Sequence, residues 1–204
     1  ITTTVESSIE KQGTAAIPLQ PLLDIAGELP DDTRIEMEAS DNKVKINTDF
    51  GTYDLMGKDP EEFPAAPDTN DGVEIGIGST LLNKIISTVS FAVSKDDLKP
   101  SLTGVFFKID SDLITAVSTD GHRLAQYICK NETKANFTGE VIIPKKFLNT
   151  IVSYTTQEEI SLLINDNVFT AKMGKDTVYT RIIDEKFPDY ESVIPKDNNK
   201  EIRV

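Results

Sequence analysis

Only one histidine occurs in the 204 residues, so any mechanism that passes a proton through an imidazole must use His122. It stands in Thr119-Asp120-Gly121-His122-Arg123, and with Ser118 and Asp120 it supplies the residue types of a hydrolytic triad. Triads normally draw their members from separate segments, whereas these are neighbours on what reads as a tight turn. Metal binding fares no better, since neither a second histidine nor a second cysteine accompanies His122 and Cys129. Gly76-Ile77-Gly78 lacks the third glycine and the strand–helix–strand setting of a nucleotide fingerprint. The expectation is therefore no metal, no cofactor and no enzymatic activity, with a small hydrolase built on His122 as an alternative.

The elements that must position these residues repeat along the chain. Ile17-Pro18 followed by Leu22 and Ile25 recurs about 126 residues later as Ile143-Pro144, Leu148 and Ile151. Ile35 with Asp41-Asn42 recurs as Ile160 with Asp166-Asn167, and Phe63-Pro64 recurs as Phe187-Pro188, at nearly the same spacing. A shorter repeat of about 66 residues lies within the later part. Glu74-Ile75-Gly76-Ile77 with Leu82-Asn83-Lys84-Ile85-Ile86-Ser87 matches Glu140-Val141-Ile142-Ile143 with Leu148-Asn149-Thr150-Ile151-Val152-Ser153. One unit is thus used three times, two units making a domain of about 125 residues.

Each unit reads as a strand, a helix and three more strands. In the middle copy the pattern predicts a strand over Val73–Ile77 and a helix over Ser79–Ser90. Strands follow over Val105–Ile109, Leu113–Thr119 and Arg123–Lys130, divided by Asp110-Ser111-Asp112 and Asp120-Gly121. In the last copy Val141–Ile143 precedes a helix over Lys145–Tyr154. Its strands are Ile160–Ile164, Val168–Met173 and Thr177–Ile183, hinged at Asn165-Asp166-Asn167 and Gly174-Lys175-Asp176. Both helices carry one apolar stripe: Leu81, Leu82, Ile85, Ile86 and Val89, then Phe147, Leu148, Ile151 and Val152. Their opposite faces show Thr80, Asn83, Lys84 and Ser87, then Lys146, Asn149, Thr150 and Ser153, with Lys145 beside them. Neither helix contains an acid, although Asp and Glu number 34 in the chain.

That distribution matters because the net charge is −13, which by itself argues against a phosphate-bearing partner. A local patch sets the field that a partner meets, and these two faces are mildly basic on an otherwise acidic chain. Two ordinary solvated helix faces would look the same. With 38% apolar and 27% charged residues and no Trp, the chain should fold as one or two domains around an Ile, Val and Leu core. No apolar run approaches the roughly 18–20 residues of a membrane span. A lone Cys129 excludes an internal disulfide and suits a reducing cytosol, and the sequons at Asn131 and Asn136 read as chance.

Phe91-Ala-Val-Ser, Leu102-Thr-Gly-Val-Phe-Phe and Thr119-Asp-Gly-His-Arg-Leu-Ala125 stand in a particular order, followed by Phe187-Pro-Asp-Tyr190 and Ile194-Pro195-Lys196. In that order and spacing the chain resembles, over essentially its whole length, the bacterial DNA sliding clamps, the beta subunits of DNA polymerase III. The resemblance implies an α+β DNA-clamp fold of repeated βαβββ units, with short helices on one side of antiparallel sheets. Such clamps are head-to-tail homodimeric rings with three similar domains per subunit, cytoplasmic and without a membrane anchor. They encircle duplex DNA without reading its sequence and tether the replicative polymerase, as non-catalytic processivity factors. Residues 1–68 would be the second half of the first domain, 69–196 a complete middle domain and 197–204 the opening of the third. The chain is thus expected to be a fragment that cannot close a ring alone.

By the same resemblance, Lys84, Lys145 and Lys146 would meet DNA phosphates, and Lys95 and Lys99 lie on a loop that approaches DNA in family members. Pro100 and Ser101 stand where some members carry aromatics, and the helix near Leu19–Glu28 departs in having Asp24 and Glu28 but no Lys or Arg. A groove for apolar-tipped peptides of polymerases, the clamp loader and other clamp-binding-motif proteins would be walled by Leu102, Thr119, Gly121, His122, Arg123, Leu124, Pro188 and Val193. Ser192 replaces a commonly basic residue there. The ring interface would use edge strands within Lys43–Met56, with Tyr53 a contact residue. A repeat-built protein-interaction scaffold with no DNA role is the alternative that the acidic charge favours. On the residues alone, Leu124 and Val193 read as core, with His122 merely closing the turn.

Overall fold

The structure is a computed structural model that describes residues 1–67, 72–130, 137–154, 160–165, 167–195 and 197. In chain order the first elements are β1 (Thr2–Thr3), α1 (Leu19–Glu28), β2 (Ile35–Ser40), β3 (Lys43–Thr48) and β4 (Gly51–Met56). Then come β5 (Val73–Ile75), α2 (Ser79–Val89), β6 (Gly104–Ile109), β7 (Leu113–Thr119) and β8 (Leu124–Lys130). The last are β9 (Gly139–Pro144), α3 (Lys145–Ser153), β10 (Ser161–Ile164), β11 (Val168–Met173) and β12 (Asp176–Arg181). They form two compact units, one of Glu6–Ala66 and one of Ile1–Val5 with the described residues from Pro67 onward. The sequons at Asn131 and Asn136, Asp166 of a predicted hinge, Lys196 and residues 198–204 lie outside the described residues.

The smaller unit is a three-stranded meander, β2-β3-β4, with α1 in the same unit. Alternation along β3 buries Val44 and Ile46 and leaves Lys43 and Lys45 exposed. Asp41 and Asn42, with φ of 49° and 60°, join β2 to β3 as a two-residue hairpin whose primed geometry matches strand twist. The helix α1 buries none of its residues. Because β3 pairs on both sides, only β4 within Lys43–Met56 is an edge strand, which narrows the sequence expectation. Tyr53 lies half-buried on that edge.

The larger unit holds two antiparallel sheets, β1-β12-β11-β10-β5 and β8-β7-β6-β9. The two βαβββ halves are present, but each half lends its first strand to the other. Strand β5 pairs with β10, and β9 pairs with β6 over its full length from Gly104↔Pro144 to Ile109↔Gly139. Both helices lay their stripes into one core. Leu82, Ile85, Ile86 and Val89 from α2 meet Phe147, Leu148 and Ile151 from α3, together with Phe107, Ile114, Leu162 and Ala171 of the sheets. A second, smaller cluster of Leu102, Phe106, Val117, Ile142, Phe187 and Tyr190 occupies the other face of β6 and β9. Strand β6 is therefore apolar on both faces, which explains why Val105-Phe106-Phe107 does not alternate.

Small departures from the predicted boundaries have local causes. Strand β5 stops at Ile75 because the Ile77 N–H bonds back to the Ile75 carbonyl (3.0 Å) instead of joining the ladder. Past Arg181 the chain leaves its own sheet, and the Ile183 N–H bonds to the Ile142 carbonyl of β9 (3.0 Å). The pairing of β1 with β12 had no signal in so short a segment. Among the described residues no helix is long and apolar enough to cross a membrane, and no group of three metal-ligating side chains converges.

At Gly104 of β6 there is no room for a side chain against β9. A Cβ there would stand 2.6 Å from the Ile143 carbonyl oxygen and 2.8 Å from Ile142 Cγ2. Replacing Gly104 with Ala should therefore cost about 1–3 kcal/mol, the usual penalty for overpacking a tight site. Denaturant unfolding would check this; unchanged stability would mean that the two strands can part without loss.

Candidate functional site

The turn from β7 to β8 is built almost entirely from its own side chains. The Thr119 hydroxyl accepts the Gly121 N–H (3.0 Å) and donates to the Arg123 carbonyl (2.7 Å). The Asp120 carboxylate accepts the N–H groups of His122 (2.9 Å) and Arg123 (3.0 Å) and the Arg123 Nε–H (3.0 Å). Gly121 has φ of +88°, a conformation that a residue with a side chain adopts only under strain. His122 and Arg123 are thereby exposed at the tip while Leu124 re-enters the ladder opposite Thr119. Arg123 departs from its predicted place in the strand because this turn takes its N–H.

These contacts answer the triad question. Ser118 is fully buried and its hydroxyl donates to the Val89 carbonyl at the end of α2, on the far side of the strand from any solvent-borne substrate. Asp120 is committed to the turn and to Arg123. The three residues do not assemble as nucleophile, base and orienter.

The residues proposed as a peptide groove occupy neighbouring parts of the larger unit. Leu102 is buried in the second cluster, and Leu124 packs on its edge, half-buried. Phe187 belongs to that cluster, so Pro188 follows directly from it, exposed. Val193, in the short helical turn Glu191–Val193, is 66% exposed and so is not core. Phe91 opens one of the motifs of the sequence but was given no place in the site, and its half-exposed ring lies 5.5 Å from the Arg123 guanidinium. Its signal was an apolar residue just past the end of the α2 stripe, at a position where α2 gives way to a 3-10 turn.

The lysines fall less uniformly. Helices α2 and α3 touch each other, and Lys84 and Lys146 are exposed on them, while Lys145 is half-buried. The Lys84 ammonium stands 5.9 Å from the Tyr127 ring of β8. Asn83, expected on the polar face, is instead half-buried, and its Oδ1 finds no hydrogen-bond partner among the described residues. Lys95 and Lys99 are exposed, yet Asp96 and Asp97 lie between them, so that loop carries no net charge.

A family model described as the central domain of the DNA polymerase III beta subunit matches residues 76–189, more than half of the chain. The chain belongs to that family. It is 30% identical to the beta sliding clamp of Haemophilus influenzae, over 95% of this chain and 53% of that protein. It is 26% identical to that of Pseudomonas aeruginosa, over 92% and 52%. The fold is similar to the DNA polymerase III subunit beta of P. aeruginosa, with a TM-score of 0.86 at 25% identity, covering 95% of this chain and 54% of that one. It is likewise similar to the clamp of Bartonella birtlesii bound to griselimycin, with a TM-score of 0.88 at 25% identity, covering 97% and 55%. The chain spans about half the length of these relatives.

The turn that carries the family motif should also have a distinct acid titration. The backbone N–H bonds of His122 and Arg123, followed by the Arg123 side chain, hold the Asp120 carboxyl down from 3.8 to about 2. Its contribution to the turn is then complete above 3.8 and is lost as pH falls through about 2. The carboxyl 13C shift of Asp120 should titrate near 2; a midpoint near 3.8 would show that these bonds do not hold in solution.

Proposed function

We propose that this chain is the portion of a DNA polymerase processivity clamp that carries the partner-binding turn, and that it is non-catalytic and cytoplasmic. The observation that carries the reading is the self-built turn Thr119–Arg123 set beside an apolar cluster. A rigid polar tip next to Leu124, Leu102 and Pro188 suits the anchoring of a short peptide by one buried aliphatic side chain. The occupants would be the apolar-tipped motifs of the replicative polymerase, the clamp loader and other clamp-binding proteins. In the closed head-to-tail ring, α2 and α3 would face duplex DNA. Lys84, Lys145 and Lys146 would then touch phosphates without reading bases. Lys95 and Lys99 would add little, given the acids between them. Tyr53 on the edge strand β4 would belong to the ring interface. An interaction scaffold without DNA is the second reading, favoured by the charge of −13.

In the full-length protein, Leu124→Asp should weaken a clamp-binding peptide by about 1–3 kcal/mol, as for a central anchor, without loss of fold. Fluorescence anisotropy with a labelled peptide would measure it, and unchanged affinity in a folded variant would remove Leu124 from the groove. Clamp and scaffold separate on DNA topology. Full-length protein loaded onto nicked circular plasmid should co-elute with it in gel filtration at moderate salt and be released when the plasmid is linearised. Equal retention on both forms, or on neither, would favour the scaffold.

A further inference from the structure

Beyond β12 the chain crosses to the other sheet and covers the face of β6 and β9 that points away from the main core. The Ile183 N–H is tied to β9, Phe187 stacks on Phe106 with centroids 4.8 Å apart, and Tyr190 leans on the same ring at 5.9 Å. Between this strap and the sheet lies a cavity of about 360 Å³. Its apolar lining includes Phe106, Ile142, Phe187 and Tyr190 of the second cluster, with Val141, Ile182, Ile183 and Pro188 beside them. Its charged lining is one-sided: Glu140, Asp184, Glu185, Asp189 and Glu191 against Lys108 and Lys186. Lys108 meets Glu140 at 3.9 Å with both side chains well exposed, so that pair neutralises little of the field. Burial, and then the charge of Glu191, hold the Tyr190 phenol above its ordinary value, in keeping with a negative environment. Of the proposed groove residues only Pro188 also lines this cavity.

We propose that the cavity is a docking site for a basic segment of a partner protein. Such a segment would place an aliphatic or aromatic side chain on the ring floor and an adjacent arginine or lysine against the rim carboxylates. Charge complementarity selects this occupant. Nucleic acid would meet repulsion from the rim, and a second copy of a chain with net charge −13 is itself acidic. An aromatic and aliphatic floor with a polar rim is the usual composition of a peptide-accepting pocket. The site shares Pro188 with the proposed groove but uses neither the DNA-facing lysines nor the Thr119–Arg123 turn.

The test uses a fluorescein-labelled octapeptide of alternating arginine and leucine, with its glutamate–leucine counterpart as control, titrated against the chain by anisotropy. The arginine peptide should bind and the glutamate peptide should not. Asp184→Lys combined with Glu185→Lys should weaken binding about tenfold, and Asp184→Asn with Glu185→Gln should weaken it by a smaller factor. Reversing Asp97 and Asp112, exposed acids outside the cavity, should change it by less than about twofold. Equal losses in the two charge-reversed pairs would reduce the effect to overall charge and overturn the proposal. So would failure of the arginine peptide to bind, or a loss on Leu124→Asp while the Asp184 and Glu185 variants bind normally, which would place the peptide in the groove.

Discussion

Two helices of roughly ten residues cannot each bury a stripe against a private sheet and leave enough apolar area to fold. In the larger unit they share one core instead, where Ile85, Val89, Leu148 and Ile151 are wholly inaccessible. Everything of functional interest hangs from that arrangement. Because the stripes are fixed inward, Lys84 and Lys146 are fixed outward. Because β7 packs its even-numbered side chains beneath α2, Ser118 can bond the Val89 carbonyl, and the Thr119–Arg123 turn begins from an anchored strand. Within the turn Thr119 and Asp120 satisfy the N–H groups, and Arg123 is held by Asp120 from inside it and by the Phe91 ring from outside.

Much of this was legible in the sequence because its signals are periodic. The 3.6-residue stripe of α2 and α3 translates directly into elements, and β7 and β11 begin and end where the pattern said. The Asp120-Gly121 turn was legible for another reason: its chemistry is local, and the residues that close it are the ones that name it. Partners are a different matter. Periodicity tells which way a side chain points but not which strand lies alongside. Nothing in Val73-Glu74-Ile75 or Val141-Ile142-Ile143 announces that each pairs with the other half.

The candidate site was legible to a similar depth. Lysine-bearing, acid-free helices can be read along a chain, and Lys84 and Lys146 are exposed on them, but Lys145 is half-buried and Asn83 turned inward where the pattern had it outward. Its counterpart Asn149 in α3 is exposed, as the pattern has it. The strap that follows β12 was the least predictable part. It has no period, and its place is set by long-range stacking of Phe187 on Phe106, residues far apart in sequence.

The reciprocal loan of strands between β5 and β9 has a consequence for how this unit could be taken apart. A single cut between β8 and β9 would not release two small domains. Each piece would keep three strands of one sheet, with β9 missing from one sheet and both β5 and β1 missing from the other. Both pieces would also expose half of a common core. They would therefore behave as complementing fragments, unfolded or sticky apart and native only together.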